Sequence, residues 1–328
     1  MSEVKFNVLE GLDGLRRLPA GVVLSVGNYD GIHLGHEKIL ATARELRAKS
    51  GAPALAVATF EPHPMTVLRP HAAPPRLTPP GVKHPLLAAR GVDAVVVLPP
   101  APEVLDLPAE RFWEVLRDQV RPSHLVEGQS FMFGKGRGGN VERLRAWSKG
   151  TAVGLHVVDP VSVPLLDMTV VPVSSSLVRW LLAHGRARDA AICLGRGYVL
   201  EGKVVKGHQR GRAIGMPTAN LDCGDQMIPC DGVYAARSVV AGKTYPVALS
   251  IGTMPTFGPD LRRQVEAHLI GFDGDLYGQV TRVELVDWLR GQEKFNGVEA
   301  LKAQMKRDLD AAVERREMNP ARPVARAE

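Results

Sequence analysis

The chain has 328 residues, enough for two domains that each bury a core, and its 45% hydrophobic and 23% charged residues are typical of soluble globular proteins. The net charge of +6 includes no basic run dense enough for nucleic acid, and no apolar stretch approaches the ~20 residues of a membrane span, so we expect neither nucleic acid nor a membrane as a partner. Three cysteines without Cys-x-x-Cys spacing and a mixed, polar N-terminus favour a reduced, cytoplasmic protein over a disulfide-bonded or zinc-binding one.

The first half of the chain alternates strand-like apolar runs with helical patterns, such as the apolar face formed by Ile39, Leu40, Ala43 and Leu46. Short buried strands separated by helices imply parallel βαβ units and a doubly wound α/β sheet, whose ligands bind beyond the carboxyl ends of the strands. A helix over Ser175–Ala183 closes this half. The predicted strands are Val22–Val26, Leu55–Phe60, Asp93–Leu98, His124–Val126 and Leu155–Val158.

From Tyr198 the pattern changes to short alternating runs punctuated by glycine, without intervening helices, which is typical of an antiparallel barrel or sandwich. A last amphipathic helix carries Leu301, Met305, Leu309 and Val313 at intervals of four. Strands are predicted at Val199–Val205, Val233–Val239, Tyr245–Ile251, Val265–Phe272 and Val280–Val286. The predicted organisation is a first domain over 1–185, a linker over 186–194, a second domain over 195–318 and a disordered tail over 319–328.

The most informative segment is the turn Gly27–His36, which follows the first predicted strand and carries His33 and His36. The N-terminus of a helix offers unpaired N–H groups and a positive dipole end, which suit phosphate. Two imidazoles three residues apart at this turn, on either side of Gly35, could clasp the α-phosphate of a nucleotide. The alternative, in which a histidine caps the helix or packs in the core, is the commoner fate of a lone histidine, whereas the pair favours phosphate binding.

Three other segments of the first half follow a predicted strand or open a helix. Thr59–Pro64 is held by two prolines and offers the ring of Phe60 to a ligand, although a rigid turn explains it equally well. Glu127–Asn140 is rich in glycine and cations, which suit a ligand loop, and its embedded aromatic residues argue against a flexible surface loop. Val173–Arg179 is rich in serine, and its hydroxyls can cap the helix or bind phosphate.

The second half contains one dense run, Gly202–Leu221, which has four glycines, several cations and the sequence Pro-Thr-Ala-Asn. No Gly-Lys-Ser/Thr follows the glycines, so the run is not a Walker A loop. A set of β-turns is the alternative explanation of the glycines, and the density of cations favours nucleotide binding. Glu266 lies further along, in an alternating strand where a lone carboxylate would ordinarily face solvent.

Together these segments resemble the prokaryotic bifunctional riboflavin kinase/FMN adenylyltransferase (FAD synthetase) family, from Val22 to about Arg315. The resemblance implies a Rossmann-like nucleotidylyltransferase domain followed by an antiparallel β-barrel riboflavin kinase domain with a C-terminal helix. It also implies that ATP phosphorylates riboflavin to FMN and adenylylates FMN to FAD with release of pyrophosphate, with Mg²⁺ as cofactor. The partners are then riboflavin, FMN and ATP, and a weak homo-oligomer stays open.

By this resemblance, His33 and His36 are catalytic in the first domain, where they stabilise the charge that builds on the α-phosphate of ATP. Ser175, Ser176 and Arg179 hold the ATP phosphates. The other residues expected to bind ATP or FMN in this domain are Asn28, Asp30, Gly35, Phe60, Pro62, His63, Pro64, Ser130, Phe131 and Arg137.

In the second domain, the resemblance makes Glu266 the general base that takes the proton from the 5′-hydroxyl of riboflavin. Thr218 and Asn220 are the expected Mg²⁺ ligands and reach the ATP phosphates. The segment 288–295 looks like a flap on the flavin side of the site. The other residues expected to bind ATP or riboflavin are Gly207, Arg212, Gly215, Pro217 and Arg290.

Four positions depart from the family pattern. Tyr29 stands where the family usually has Phe, and Ser130 where Asn or Asp is usual, which shortens the polar group. Gln292 stands in place of a common Glu and Met254 in place of a frequent Arg.

These departures leave two alternatives open. One is a riboflavin kinase whose adenylyltransferase half is weak, and the other is a flavin-binding regulator without turnover. Class I aminoacyl-tRNA synthetases share the His-x-Gly-His style of turn, but the chain has neither their Lys-Met-Ser-Lys-Ser-like loop nor an anticodon-binding basic domain.

Overall fold

The computed structural model describes residues 6–207, 216–253 and 263–321. The chain divides into two compact units, Met1–Arg76 with Pro80–Val161 and Leu77–Pro79 with Ser162–Glu328. The α-helices in the described ranges are α1 (Gly11–Arg16), α2 (Leu34–Ser50), α3 (Met65–Leu68), α4 (Pro80–Ala88), α5 (Pro102–Leu105), α6 (Ala109–Glu114), α7 (Val141–Ser148), α8 (Ser175–Ala183), α9 (Ala187–Leu194) and α10 (Val298–Arg315). A π-helical turn spans Val115–Val120, and 3₁₀ turns span Pro70–Ala72 and Lys135–Arg137.

The first unit is built on a parallel sheet. Its strands, including the short hairpin of β6 and β7, are β1 (Asn7–Glu10), β2 (Val23–Val26), β3 (Leu55–Phe60), β4 (Ala94–Leu98), β5 (His124–Gly128), β6 (Met132–Phe133), β7 (Gly139–Asn140) and β8 (Gly154–Val158), before the hairpin of β9 (Ser162–Pro164) and β10 (Val170–Pro172) that opens the second unit. Six of them pair in the order β1-β4-β3-β2-β5-β8, all parallel. The predicted doubly wound parallel sheet is therefore confirmed, with β1 as an added edge strand.

The apolar runs of the strands supply both faces of this sheet. Successive side chains of a strand point to opposite faces, so Leu24 and Ala56 pack in one buried cluster while Val23 and Val57 pack in another. Helix α2 lies on the second of these faces, where Leu40 is fully buried. Burial on both faces explains why the strands read as continuous apolar runs rather than alternating ones.

The order of the strands fixes where a ligand crevice lies. From β2 the chain proceeds outward through β3 to β4 and then returns to the other side of β2 to form β5 and β8. In open α/β sheets, ligands bind outside the carboxyl ends of the strands at such a reversal. The crevice of the first unit therefore lies where β2 and β5 end.

The barrel of the second unit is antiparallel and closed, which decides between the predicted barrel and sandwich. Its strands are β11 (Val199–Val205), β12 (Ala219–Asp222), β13 (Gly232–Val240), β14 (Lys243–Gly252), β15 (Gln264–Leu269) and β16 (Val280–Arg290). They pair in the order β11-β12-β15-β14-β13-β16 and close on themselves. Helix α10 packs on this barrel through the fully buried Ala312.

The segment predicted as a linker, 186–194, contains helix α9. Ala190, Ala191 and Cys193 are fully buried there. The buried Asp189 carboxylate accepts hydrogen bonds from the Leu166 N–H at 2.7 Å and the Arg186 Nε–H at 2.6 Å. The domain limits at 185 and 195 stay a prediction, and most of the expected tail 319–328 lies outside the described residues.

Candidate active sites

The turn after β2 has an unusual backbone. Tyr29 and Ile32 have φ angles of 45° and 41°, and Gly31 lies between them at 91°. Left-handed backbone costs on the order of 1–3 kcal/mol at a residue other than glycine, and such strain clusters at ligand sites. The turn ends at His33, whose Nδ1 accepts the His36 N–H at 3.4 Å, so His33 is the N-cap of α2.

The two histidines of this turn lie against each other. The ring centroids of His33 and His36 are 3.8 Å apart with planes tilted by 21°, and the ring of Tyr29 lies 4.8 Å from His36. His33 and Asp30 are buried. The capping role foreseen as the alternative for one histidine is thus present together with the paired arrangement, at the edge of the sheet where the crevice lies.

The loop 59–64 meets the same turn. The Thr59 hydroxyl donates to the Asn28 carbonyl at 2.9 Å, and the Asn28 amide lies 3.1 Å from His63 Nε2. His63 Nδ1 accepts the Met65 N–H at 3.1 Å, which fixes the orientation of the ring. Half-buried Phe60 ends β3 beside this loop. The structure therefore brings together Asn28, His63 and the ends of β2 and β3. That these residues bind ATP or FMN stays a prediction.

A buried ion network beneath this turn escaped the sequence analysis. Lys83 on α4 is only 3% exposed, and its ammonium donates to Glu61 Oε2 at 3.1 Å and to the Asn28 carbonyl at 3.4 Å. Arg76 pairs with the other Glu61 oxygen at 2.9 Å. Burial, followed by repulsion from Lys83, lowers the pKa of His84 from its ordinary value. The only sequence signal was a lysine among the apolar residues of a helix.

The glycine-rich loop is anchored at its base. Phe133 is buried in the core, and Phe131 stacks on it with ring centroids 5.3 Å apart. Gly134 has a φ of 73°, and a Cβ there would lie 2.6 Å from the Ala109 backbone, so only glycine fits. Ser130 and Arg137 remain exposed at the surface of the loop.

The serine-rich segment opens α8. Ser174 is the N-cap, because its hydroxyl accepts the Leu177 N–H at 3.1 Å. Ser175 and Arg179 are four residues apart and therefore share a face of the helix, while Ser176 is exposed. Chain contacts group α8 with the second unit, whereas the histidine turn belongs to the first. That these residues join the histidine site stays a prediction.

In the barrel, three polar residues stand in a row on adjacent strands. Asn220 of β12 is paired with Glu266 of β15, which is paired in turn with Ser250 of β14. Directly opposed residues in an antiparallel pair have Cβ atoms about 4.5–5.5 Å apart, so their side chains interact. Glu266 therefore lies between an amide and a hydroxyl rather than alone on a solvated face.

Two contacts involve described residues that flank or begin β12. A Cβ on Gly207 would lie 2.2 Å from Asn220 Nδ2, so the Asn220 amide packs directly on that glycine. The Nδ1 of His268 lies 2.7 Å from the Pro217 carbonyl and donates to it, which positions the half-buried Thr218 that follows. His268 was missed by the sequence analysis. Arg212, Gly215 and Met254, which the sequence analysis singled out, lie outside the described residues.

The predicted flap begins at the end of β16. The Arg290 guanidinium is paired with Asp308 of α10 at 2.7 Å and lies over the ring of Phe295 at 5.7 Å. This ion pair, absent from the sequence prediction, gives Arg290 a structural role in attaching α10. Gln292 donates from Nε2 to the Ile251 carbonyl at 2.9 Å and to the Ser250 hydroxyl at 3.3 Å. The flap thereby contacts the neighbour of Glu266.

The donors available for a metal ion are few. Within 6–207, 216–253 and 263–321, no group of three or more His, Cys, Asp and Glu side chains could hold one. Thr218 and Asn220 present neutral oxygens, and Asn220 is held against Gly207. This set fits Mg²⁺, which keeps several waters and takes few protein ligands together with substrate phosphates.

No helix in the described part of the chain is both long and apolar enough to cross a membrane.

The first unit has a histidine pair at the reversal point of its parallel sheet, where ligands of such sheets bind. The second unit is a closed antiparallel barrel in which an acidic residue, suited to act as a general base, lies between polar neighbours. This combination is that of a two-domain nucleotide-dependent transferase. The FAD synthetase family model matches residues 16–173, and the riboflavin kinase model matches residues 194–315. The chain belongs to the bifunctional riboflavin kinase/FMN adenylyltransferase family.

Relatives of that name match almost end to end. The Pseudomonas fluorescens protein is 34% identical over 93% of this chain and 96% of its own length. The Escherichia coli K12 protein is 35% identical over 92% and 95%. A crystal structure described as a macrolide-efflux protein from Streptococcus pneumoniae has a TM-score of 0.80 and 25% identity, and it covers 95% of this chain and 99% of its own. Both units of the fold therefore recur together in a solved structure.

Proposed function

We propose that the chain makes FAD from riboflavin in two ATP-dependent steps. The second unit phosphorylates riboflavin to FMN, and the first transfers the adenylyl group of ATP to FMN. The observation that supports both steps is that one chain holds the stacked His33 and His36 at the sheet reversal and Glu266 between Asn220 and Ser250. Because the protein uses ATP and has free cysteines, we place it in the cytoplasm.

For adenylyl transfer, a phosphate oxygen of FMN attacks the α-phosphorus of ATP, and the bond to pyrophosphate breaks. Such transfers need positioning and neutralisation of charge more than covalent help. His33 and His36 stabilise the charge on the α-phosphate, and Ser175, Ser176 and Arg179 hold the other phosphates. The pocket lining consists of Asn28, Asp30, Gly35, Phe60, Pro62, His63 and Pro64, with Ser130, Phe131 and Arg137 from the glycine-rich loop.

For the kinase step, Glu266 takes the proton from the 5′-hydroxyl of riboflavin as that oxygen attacks the γ-phosphorus of ATP, and ADP leaves. Thr218 and Asn220 are the residues that would hold Mg²⁺, which supplies positive charge to the phosphates when bound. His268 orients Thr218 through the Pro217 carbonyl. Gly207, Pro217 and Arg290, with Arg212 and Gly215, complete the residues that we assign to this site.

A second candidate is a riboflavin kinase with a weak adenylyltransferase half. Ser130 favours it, because this exposed position carries a short hydroxyl where the family usually has an amide or carboxylate. A flavin-binding regulator without turnover is the remaining alternative. The histidine pair and the placement of Glu266 argue against it.

Two substitutions separate the steps. In Glu266→Gln the general base is removed, so FMN formation from riboflavin falls by at least about 100-fold while FAD formation from supplied FMN is unchanged. His36→Ala gives the reverse result. Purified proteins are incubated with riboflavin or FMN, ATP and Mg²⁺, and FMN and FAD are separated by chromatography.

The wild-type products discriminate between the candidates. FAD from riboflavin supports the proposed function, FMN alone supports the second candidate, and no conversion supports the regulator. If Glu266→Gln keeps its kinase activity, Glu266 is not the base.

A further inference from the structure

The carboxyl ends of β2 and β5 separate at the crevice of the first unit. The pairing between them comprises Val23 with His124 and Leu24 with Leu125 and then ends. On their outer sides both strands remain paired further, β2 with β3 as far as Val26 and β5 with β8 as far as Gly128. The sheet is therefore forked between these two strands, where the ligand crevice of such folds lies.

A side chain fills this fork. Val23 and Gly27 donate their N–H groups to the β3 side, to Ala54 and Ala58 at 2.9 Å, so by alternation the Val26 N–H faces β5. It donates to Oε1 of Glu127 at 2.7 Å. Continuing the register would put Glu127 beside Val26, so a carboxyl group takes the place of the next backbone bond of the ladder.

Glu127 is built into the core rather than lying at the surface. It is 2% exposed. Burial, only partly offset by the Val26 N–H, raises the pKa of Glu127 well above its ordinary value. Next to it, the buried Tyr29 hydroxyl donates to the Ser25 hydroxyl at 2.6 Å, and burial followed by the charge of Glu127 raises the pKa of Tyr29. A buried polar group is costly unless it makes such bonds.

We infer that Glu127 is a positioning residue for adenylyl transfer: its side chain holds the ends of β2 and β5 apart and so sets the placement of the turn that carries His33 and His36. Val26 is the last residue of β2, and the turn begins directly after it. A displacement of about 1 Å at reacting groups can cost on the order of 100-fold in rate. This inference rests on adenylyl transfer as the activity of the first unit.

Three variants test the inference in the full chain. Glu127→Gln keeps an acceptor for the Val26 N–H, so kcat for FAD formation stays within about 2-fold of wild type. Glu127→Leu leaves that N–H without its acceptor and lets the fork relax, so kcat falls at least about 10-fold. Glu127→Asp shortens the side chain and gives an intermediate loss. The riboflavin kinase activity of the same chains is unchanged and serves as the internal control.

Asp93 supplies a matched control for sheet stability. Its carboxylate accepts the Leu55 N–H at 2.7 Å at the amino end of β3, and it pairs with Arg47 of α2 at 2.7 Å. Asp93→Leu removes a carboxylate bond to a strand N–H together with the ion pair to Arg47 in the last turn of α2, both of them away from the crevice. We expect it to lower the melting temperature but to leave kcat for FAD formation unchanged.

Hydrogen exchange of a peptide spanning 22–33 adds a readout that is independent of activity. Exchange rises in Glu127→Leu and matches wild type in Glu127→Gln. The inference is overturned if Glu127→Leu exchanges and turns over like wild type, or if Glu127→Gln is as impaired as Glu127→Leu. Where Glu127→Leu does not fold, the Gln and Asp variants decide by the same criteria. A wild-type protein that makes no FAD overturns the proposed function, and the exchange data still test the fork.

Discussion

Gly207 has no side chain, and this leaves room for the amide of Asn220, one of the residues that we assign to Mg²⁺. Its φ lies outside the left-handed region, so alanine is accepted by the backbone. Its Cβ, however, would lie 2.2 Å from Asn220 Nδ2. The need for glycine at this position therefore comes from the close approach of the Asn220 amide.

We predict that Gly207→Ala displaces the Asn220 amide and lowers kcat/KM for FMN formation by at least about 10-fold. FAD formation from supplied FMN by the same protein is unchanged, because Asn220 belongs to the barrel. Steady-state kinetics of both reactions, with a melting curve to show that the variant is folded, make the measurement. Equal kcat/KM values for FMN formation in variant and wild type would contradict the placement of Asn220 in the site.

Residues whose roles depend on near neighbours in sequence were predictable, and those that act across the fold were not. His33 and His36 meet because they are three apart at a helix start. Lys83 reaches Glu61 across 22 residues, and His268 reaches Pro217 across 51. No periodicity or motif records such pairs, since they form only when strands and helices pack.

At the scale of elements, strands with apolar runs were predicted and polar or short ones were not. The bounds of β3 and α8 agree with the sequence prediction. The edge strand β1 is mostly exposed, and β12 has only four residues, so neither carries a clear pattern. Helix α9 was taken for a linker because its alanines gave a weak apolar signal, although they are buried.

A second pair of histidines, on strands β5 and β8, makes the stability of the first unit depend on pH. His156 of β8 and His124 of β5 have ring nitrogens 3.1 Å apart. Burial, followed by repulsion from His124, lowers the pKa of His156 below its ordinary value. The pKa of His156 is therefore lower in the folded chain than in the unfolded chain, where it is about 6.5. At pH values between the two, the unfolded chain binds more protons, so the free energy of unfolding falls as the pH drops below about 6.5.

We predict that His156→Gln, which removes the titration and keeps a hydrogen-bonding group, reduces this acid sensitivity. Unfolding is followed at pH 7.5 and 5.5 over a series of urea concentrations. Hydrogen exchange of peptides from β5 and β8 gives the urea midpoint of the first unit at each pH. The fall in midpoint is smaller in the variant than in wild type. An equal fall in both proteins would show that the pair contributes nothing to the pH dependence.

At the scale of the whole molecule, the change in composition and the division by contacts fall at different places. The composition changes near residue 190, while the second compact unit begins at Ser162. Within that unit, the Cys230 N–H donates to the Leu182 carbonyl of α8 at 2.8 Å. A sequence pattern does not record this bond, because it forms only when α8 packs beside the segment that precedes β13.

This grouping predicts that the kinase barrel needs α8 and α9. A fragment of residues 162–328 keeps them, whereas one of 195–328 loses the bond to Cys230 and exposes barrel surface covered by α9. Removing a buried helix costs several kcal/mol, so we expect the shorter fragment to melt at least about 10 °C lower or to fail to fold. Both fragments lack Leu77, whose carbonyl accepts a hydrogen bond from the Gln226 amide at 3.3 Å, so both lose this bond. The difference in melting temperature between the fragments therefore reports on α8 and α9. Circular dichroism melting and FMN formation make the comparison, and equal melting temperatures would support the boundary predicted from composition.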